Sequence, residues 1–417
     1  MSAQALQGIR IVDLSMGWAG PLCARQMADL GADVIKVESC ERFDWWRSWE
    51  ATPEWIEDDG AEKSAAFNMV NRNKRAITLD LEDETGRDLL LQLVSTAHAV
   101  VENYSGGVLP KLRLTYDHLR AAQPNIILLS MPPFGSTGPW AEFRAYGSTV
   151  EQSSGLPHLN GLDADPPTMH HVAYGDPMGG LNGGAALLTA LYHQTSSGEG
   201  QFVDLSQVES LFSLAAHGIM TYSATGQAPA RTGNVHATSA PHGVYRCAGE
   251  EQWLLLQIFD ETQWDALCSQ APVLTKFGAS TDRLARRDEL DAALNTWCAN
   301  QDAFELMERL QGQGIPAVAT HNTISLLSDR HLEYRGYWQW LDRAVVGRQP
   351  NPSTPYRFGA QPIAIQSPAP TLGQHNDEVL SDVLGLDEQA IERLRSNGII
   401  GEKPRMPGTR PPRSASS

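Results

Sequence analysis

The chain has 417 residues, 41% of them hydrophobic and 19% charged, which is the composition of a folded globular protein too long for one comfortable core. A formal net charge of -17 sets the surface against nucleic-acid phosphates and anionic lipid, so neither is an expected partner and an anionic ligand would need a local basic pocket. No apolar run approaches the roughly 18 residues of a membrane helix and the N-terminus lacks a signal-peptide pattern, so no membrane association and a cytoplasmic location are expected.

In chain order, GIRIVDLS (8–15) is an apolar, β-branched run that reads as a strand. A turn at Gly17 to Pro21 follows, then helix-period positions in PLCARQMADLGAD, and DVIKVES as a second strand. The alternation recurs through AITLDLED, the helix TGRDLLLQLVSTA, AVVENY and NIILLSMPP. Repeated βαβ units predict a doubly wound, mostly parallel, Rossmann-like α/β sheet. From about 180 the chain turns helical, with a short strand QFVDLS between NGGAALLTALYHQ and QVESLFSLAAHGIMTYSA.

The stretch TGQAPARTGNVHATSAPHG is rich in small and turn residues and marks a boundary. Past it come two strand-like runs in GVYRCAGEEQWLLLQIF and two amphipathic helices. The expected domains are a large α/β domain over 1–225 and an inserted smaller α+β domain over 230–325. A C-terminal return to the large domain follows over 326–400, then a disordered tail over 401–417.

Among the motifs, GWAGP after the first strand lacks GxGxxG spacing, so no nicotinamide cofactor is expected, and no phosphate-binding GxxxxGK[ST] occurs. Five cysteines without a CxxC pair or a nearby histidine read as buried thiols, and no metal site is expected. The sharpest segment is YGDPMGGLNGGAALLTALYHQTSSGEG, where Asp176 precedes Pro177 at a helix start. An N-cap explains that Asp. It does not explain Gly179, Gly180, Gly183 and Gly184, each of which costs a helix about 1 kcal/mol relative to Ala. Close approach of another backbone, or of a ligand, would account for them.

Five segments in order resemble the class III coenzyme A transferases, a group that includes formyl-CoA and carnitine CoA transferases and the α-methylacyl-CoA racemases. They are GIRIVDLSMGWAGPLCARQMADLGADVIKVE, NRNKRAITLDLEDETGRDLLLQL, VVENYSGGVLPKLRL, GDPMGGLNGGAALLTALYHQTSSGEGQFVDLS and PAPTLGQHNDEVLSDVLGL. The resemblance implies that Asp176 is a nucleophile that passes coenzyme A from an acyl-CoA to a carboxylic acid through an aspartyl anhydride and an enzyme thioester. Coenzyme A or acyl-CoA is then substrate rather than resident cofactor, and the protein is an interlocked homodimer. It further implies CoA contacts at Ala19, Lys74, Arg75, Leu79, Asn103, Tyr104, Lys111 and Arg144, and places Trp49, Tyr146, His242, Gly179 and Gly180 near the acyl or acceptor group.

The chain departs from that pattern where VENYSGG puts Ser105, and KVES puts Ser39, at positions where related proteins carry arginine. Tyr146 stands where the racemases have a histidine, and a neutral tyrosine is a poor second base, so transfer is favoured over racemisation or mere CoA binding. The loop SAPHG (239–243) lacks the glycine-rich pattern of formyl-CoA transferase, which argues against an oxalate-type acceptor. Trp45, Trp46, Trp49 and Trp55 in DWWRSWEATPEW are read either as an aromatic wall or as a satellite core.

Overall fold

The strands carry consecutive apolar residues at their centres, such as Ile11–Val12, Val34–Ile35, Val100–Val101 and Leu128–Leu129, which suits strands covered on both faces. The computed structural model describes residues 4–170, 172–359 and 361–409. In it β1 (Arg10–Asp13), β2 (Asp33–Glu38), β3 (Arg75–Thr78), β4 (Ala99–Glu102), β5 (Ile127–Ser130) and β6 (Phe202–Asp204) form one sheet. Its order is β3-β2-β1-β4-β5-β6 and every pairing is parallel, with Val12 opposite both Ile35 and Val100.

One sheet face packs Ile11, Val34, Val101 and Leu129 against Met27 of helix α1 (Ala19–Asp29) and Leu187 and Leu191 of the Gly175–Ser197 helix. The other packs Val12, Ile35 and Val100 against Leu90 and Leu93, and against Val379 and Ile391 of the C-terminal helix pair. That pair returns to the edge strand, where the Thr78 amide donates to Asn376 Oδ1 at 2.8 Å. Strand order reverses between β1 and β4, so a crevice opens over their carboxyl ends, the usual ligand position in such sheets.

The four helix glycines are explained by packing. A Cβ on Gly180 would lie 2.8 Å from the Ala19 carbonyl oxygen, one on Gly183 2.9 Å from Met131, and one on Gly184 3.0 Å from Gln26. A Cβ on Gly179 would lie 3.1 Å from Gln207. Gln26 Nε2 then donates to the Gly180 carbonyl at 3.1 Å, a bond that only close backbone approach permits.

The described chain divides into two compact units. The first comprises Met1–Pro157, Met169–Gly226 and Glu333–Ser417 and holds the parallel sheet; the second comprises His158–Thr168 and Gln227–Leu332. The second is built on a three-stranded antiparallel sheet of β7 (His242–Arg246), β8 (Trp253–Gln257) and β9 (Ala317–Ala319). Helices covering it bury Tyr245, Leu254, Leu256, Trp264, Leu290 and Leu306.

The tail expectation needs correction in part. Residues 401–409 are laid against the first unit: Gly401 exchanges hydrogen bonds with the Thr78 hydroxyl at 2.6 and 2.8 Å, and the Arg405 amide donates to the Cys40 carbonyl at 2.7 Å. Residues 410–417 lie outside the described residues.

Candidate active site

The β1–α1 turn is held by buried charge. Asp13 ends β1 and is fully buried; its Oδ2 accepts from Lys74 Nζ at 2.8 Å and its Oδ1 from the Ser15 hydroxyl and amide. Burial works against ionising Asp13, yet Lys74 and Lys36 outweigh it and hold the carboxyl below its ordinary value. Lys36 Nζ bonds the Ser15 carbonyl at 2.8 Å and Asp44 at 2.9 Å, and Asp44 Oδ1 in turn accepts from the Gly17 amide at 2.8 Å. Asn103, just past β4, clasps Met16 from the other side: Oδ1 accepts its amide and Nδ2 donates to its carbonyl, both at 2.8 Å. Every residue from Ser15 to Gly17 is therefore tied to a side chain outside the turn, and the turn presents the first amide of α1 in a fixed place.

That amide, on Ala19, donates to the carboxylate of Asp176. A second donor is the Gly147 amide, at the start of the Gly147–Ser153 helix. Neither of these two helices has a hydrogen bond from its own N-cap side chain, and the leading amides of both bear on the Asp176 carboxylate. The expectation that Asp176 caps its own helix is corrected: Tyr174 occupies that position, and Asp176 sits in the first turn with its carboxylate turned to other elements. Burial raises its pKa to about 6, against the two amide bonds that lower it.

Gly147 is compulsory here, since a Cβ would fall 2.0 Å from Asp176 Oδ2. The approach to Asp176 is fixed further by Glu151, fully buried on the same short helix. Its Oε2 accepts from the Tyr174 amide at 3.0 Å and its Oε1 from the His170 amide at 3.1 Å.

Over the strand ends of the first unit lies a cavity of about 590 Å³, within the range of small-molecule sites. Leu79, Tyr104, Lys111, Met16, Trp45 and Trp49 are among the residues that line it. Trp45 stacks on Trp49 with ring centroids 4.6 Å apart, and both meet Tyr146 edge-on at 5.8 and 5.5 Å. Since Tyr146 immediately precedes Gly147, the aromatic cluster joins the cavity to the elements holding Asp176. Trp49 is 65% exposed, whereas Trp46 packs on Trp18 at 5.2 Å and Trp55 stacks on Phe43 at 5.5 Å, so the four tryptophans do not form one group. Glu102, at the end of β4, is pushed up to about 7 by burial and accepts from the Tyr104 amide at 2.8 Å.

Several expected ligand contacts are reassigned by this geometry. Lys74 is not a phosphate ligand: it is sealed in the core, bonded to Asp13, Asn71 and the Pro21 carbonyl, and burial lowers its pKa to about 8. Arg75 is engaged by Asp33 at 2.7 Å and Glu378 at 2.9 Å. Ala19 and Asn103 serve the turn and the carboxylate instead of lining the cavity. Gly179 and Gly180 are buried in helix packing. Arg144 is exposed on the stretch leading to Tyr146 and is absent from the cavity wall. Leu79, Tyr104, Lys111 and Trp49 do line it. His242 belongs to the second unit, where Nδ1 meets the Asn234 carbonyl at 2.8 Å and Nε2 meets Gln257 at 3.1 Å.

Fold and site together define an α/β protein with a ligand cavity over the carboxyl edge of a parallel sheet and two carboxylates of raised pKa, Asp176 and Glu102, in the same unit. Comparison with known proteins narrows the class. The profile of CoA-transferase family III matches residues 6–376. Succinate–glutarate CoA-transferase of Agrobacterium fabrum is 31% identical over 92% of this chain and 97% of its own length. Succinyl-CoA–D-citramalate CoA-transferase of Chloroflexus aurantiacus is 30% identical over 95% and 98%. The crystal structure of a CAIB/BAIF family protein from Brucella suis superposes with a TM-score of 0.83 at 31% identity, covering 92% of this chain and all of that one. The chain belongs to CoA-transferase family III, and it is a CoA-transferase.

Proposed function

We propose that this enzyme carries coenzyme A from an acyl-CoA donor to a carboxylic acid acceptor with Asp176 as nucleophile, and that the cavity over β1–β4 receives the CoA. The observation that carries the proposal is a partly buried carboxylate of raised pKa held by two backbone amides. Ionised Asp176 attacks the donor's thioester carbonyl, the C–S bond breaks, and CoA leaves as thiolate from a mixed anhydride. The thiolate then attacks the Asp176 carbonyl carbon, expelling the donor acid as carboxylate and leaving an enzyme–CoA thioester.

The Ala19 and Gly147 amides become most useful at this second step, because negative charge collects on the Asp176 oxygen they already face. An acceptor carboxylate next attacks the enzyme thioester and expels CoA, forming a new anhydride. Return of the thiolate to the acceptor carbonyl releases the new acyl-CoA and restores Asp176. Trp45, Trp49 and Tyr146 would flank the acyl group and keep water from the anhydride.

Relatives named for succinate, glutarate and citramalate make a dicarboxylic acid a reasonable first acceptor to try. A homodimer is part of the reading. It is supported by the large apolar side chains exposed along the Gly175–Ser197 and Gln207–Thr225 helices, among them Leu181, Tyr192, Ile219, Met220 and Tyr222.

Incubation with succinyl-CoA, without acceptor, should add the mass of coenzyme A less one water to the protein at the peptide bearing Asp176, and hydroxylamine should convert that adduct to a hydroxamate. A turnover-competent enzyme that never carries the adduct would rule the route out. The raised pKa sets the acid limb of the pH profile. Since attack needs ionised Asp176, kcat/KM should fall below a midpoint near pH 6 and stay level above it. A limb near pH 4 in a rate series would show that burial does not govern the group.

A further inference from the structure

The cavity proposed for coenzyme A has a wall that no sequence motif marks. It is Arg405, carried on the segment Gly401 to Thr409, which crosses the carboxyl ends of β3 and β2. Gly401 is bonded to Thr78 at the end of β3, and Arg405 to the Cys40 carbonyl just past β2. The segment is thus fastened at Gly401 and at the backbone of Arg405, the residue whose side chain reaches the cavity.

Three cationic side chains line that cavity: Arg42, Lys111 and Arg405. Arg42 is exposed and paired with Glu82 at 2.9 Å, so its charge is already matched. Lys111 is exposed on a flexible stem. Arg405 differs from both. It is partly buried, its Nη2 donates to the Gly398 carbonyl at 2.6 Å, which fixes the plane of the guanidinium, and no carboxylate among the described residues pairs with it. The carboxylate of Glu38, which lines the same cavity, is consumed by Arg47 at 2.9 and 3.0 Å. An oriented, unneutralised guanidinium facing a cavity in a protein of net charge -17 is a receiver for a phosphate or carboxylate.

We propose that Arg405 binds a phosphate of the CoA nucleotide, so that the C-terminal segment forms part of the CoA site. The proposal rests on the cavity being the CoA site. The thiol end must reach Asp176, which the Trp45, Trp49 and Tyr146 cluster adjoins, and of the cavity's cations Arg405 and Lys111 are the ones not already matched and so available to the phosphates.

The test is the affinity of the full chain for coenzyme A and for pantetheine, which has no phosphate, measured by calorimetry on wild type, Arg405→Gln, Arg405→Lys and Lys111→Ala. Arg405→Gln keeps bulk and a donor for Gly398 while removing charge, and melting curves will establish that each variant is folded. Arg405→Gln should weaken CoA about tenfold and leave pantetheine unchanged, with Arg405→Lys falling between. The slope of CoA affinity against salt should also become shallower in Arg405→Gln. If Lys111→Ala weakens CoA and Arg405→Gln does not, the cavity holds CoA but Arg405 has no part in it. Equal losses for CoA and pantetheine would make Arg405 a structural residue and overturn the proposal. If neither variant changes CoA affinity, both the proposal and the cavity assignment fall.

Discussion

Asp176→Asn is expected to lower kcat/KM by on the order of 10⁴-fold or more, because it removes the only group assigned to form the covalent intermediate. The fold should survive, and at neutral pH the variant should be the more stable protein. The sign follows from the direction of the shift. The folded-state pKa, about 6, lies above the ordinary value of 3.8, so folding favours the protonated carboxyl. Ionising it above pH 6 therefore works against the native state, and a neutral amide avoids that penalty. The gain should be of order 1 kcal/mol above pH 6 and should disappear below about pH 4, where the carboxyl is protonated in both states. Steady-state rates together with urea melts at pH 4, 6 and 8 check both halves. Ordinary turnover in Asp176→Asn would end the nucleophile assignment, and a stability loss at pH 8 would show that the amide cannot replace the two bonds from Ala19 and Gly147.

Gly147→Ala should be the next most damaging change, although it adds a single methyl. That methyl would sit 2.0 Å from Asp176 Oδ2 and 2.7 Å from its Cγ, with the Ala173 carbonyl 3.0 Å away on the other side. Something must move, and the carboxylate is the softer neighbour. A displacement near 1 Å breaks the alignment with both amides, so kcat should drop about 100-fold. Coenzyme A affinity should be nearly unchanged, since Gly147 is not in the cavity wall. Measuring kcat beside CoA affinity by calorimetry separates the two effects. A variant with wild-type kcat would mean that the carboxylate works from a position other than the one described.

Much of the sheet was legible because its strands are apolar on both faces and alternate with helices of clear period. Asp176 was legible through its neighbours, yet its capping partners were not. Ala19 and Gly147 lie 157 and 29 residues away in sequence, and no local pattern says that one carboxylate serves their helices. An isolated glycine after a tyrosine carries no signal of the steric demand that makes Gly147 necessary.

The basic run NRNKR misled for the converse reason. Its charges look available, but Lys74 is matched by Asp13, 61 positions earlier, and Arg75 by Asp33 and by Glu378, 303 positions later. Arg405 was passed over because a stretch rich in proline and glycine has no periodicity of its own. Its order comes from hydrogen bonds to strand ends.

The joint capping by Asp176 also makes its chemistry conditional on assembly. Three distant stretches of chain must coincide before the carboxylate has two donors and a dry flank. A partly folded chain with most of its helices would hold an ordinary, well-hydrated aspartate with no special appetite for thioesters. The reactivity proposed for that position would thus report on the tertiary fold rather than on secondary structure, and acyl-CoA would be safe from attack by any species short of the finished enzyme.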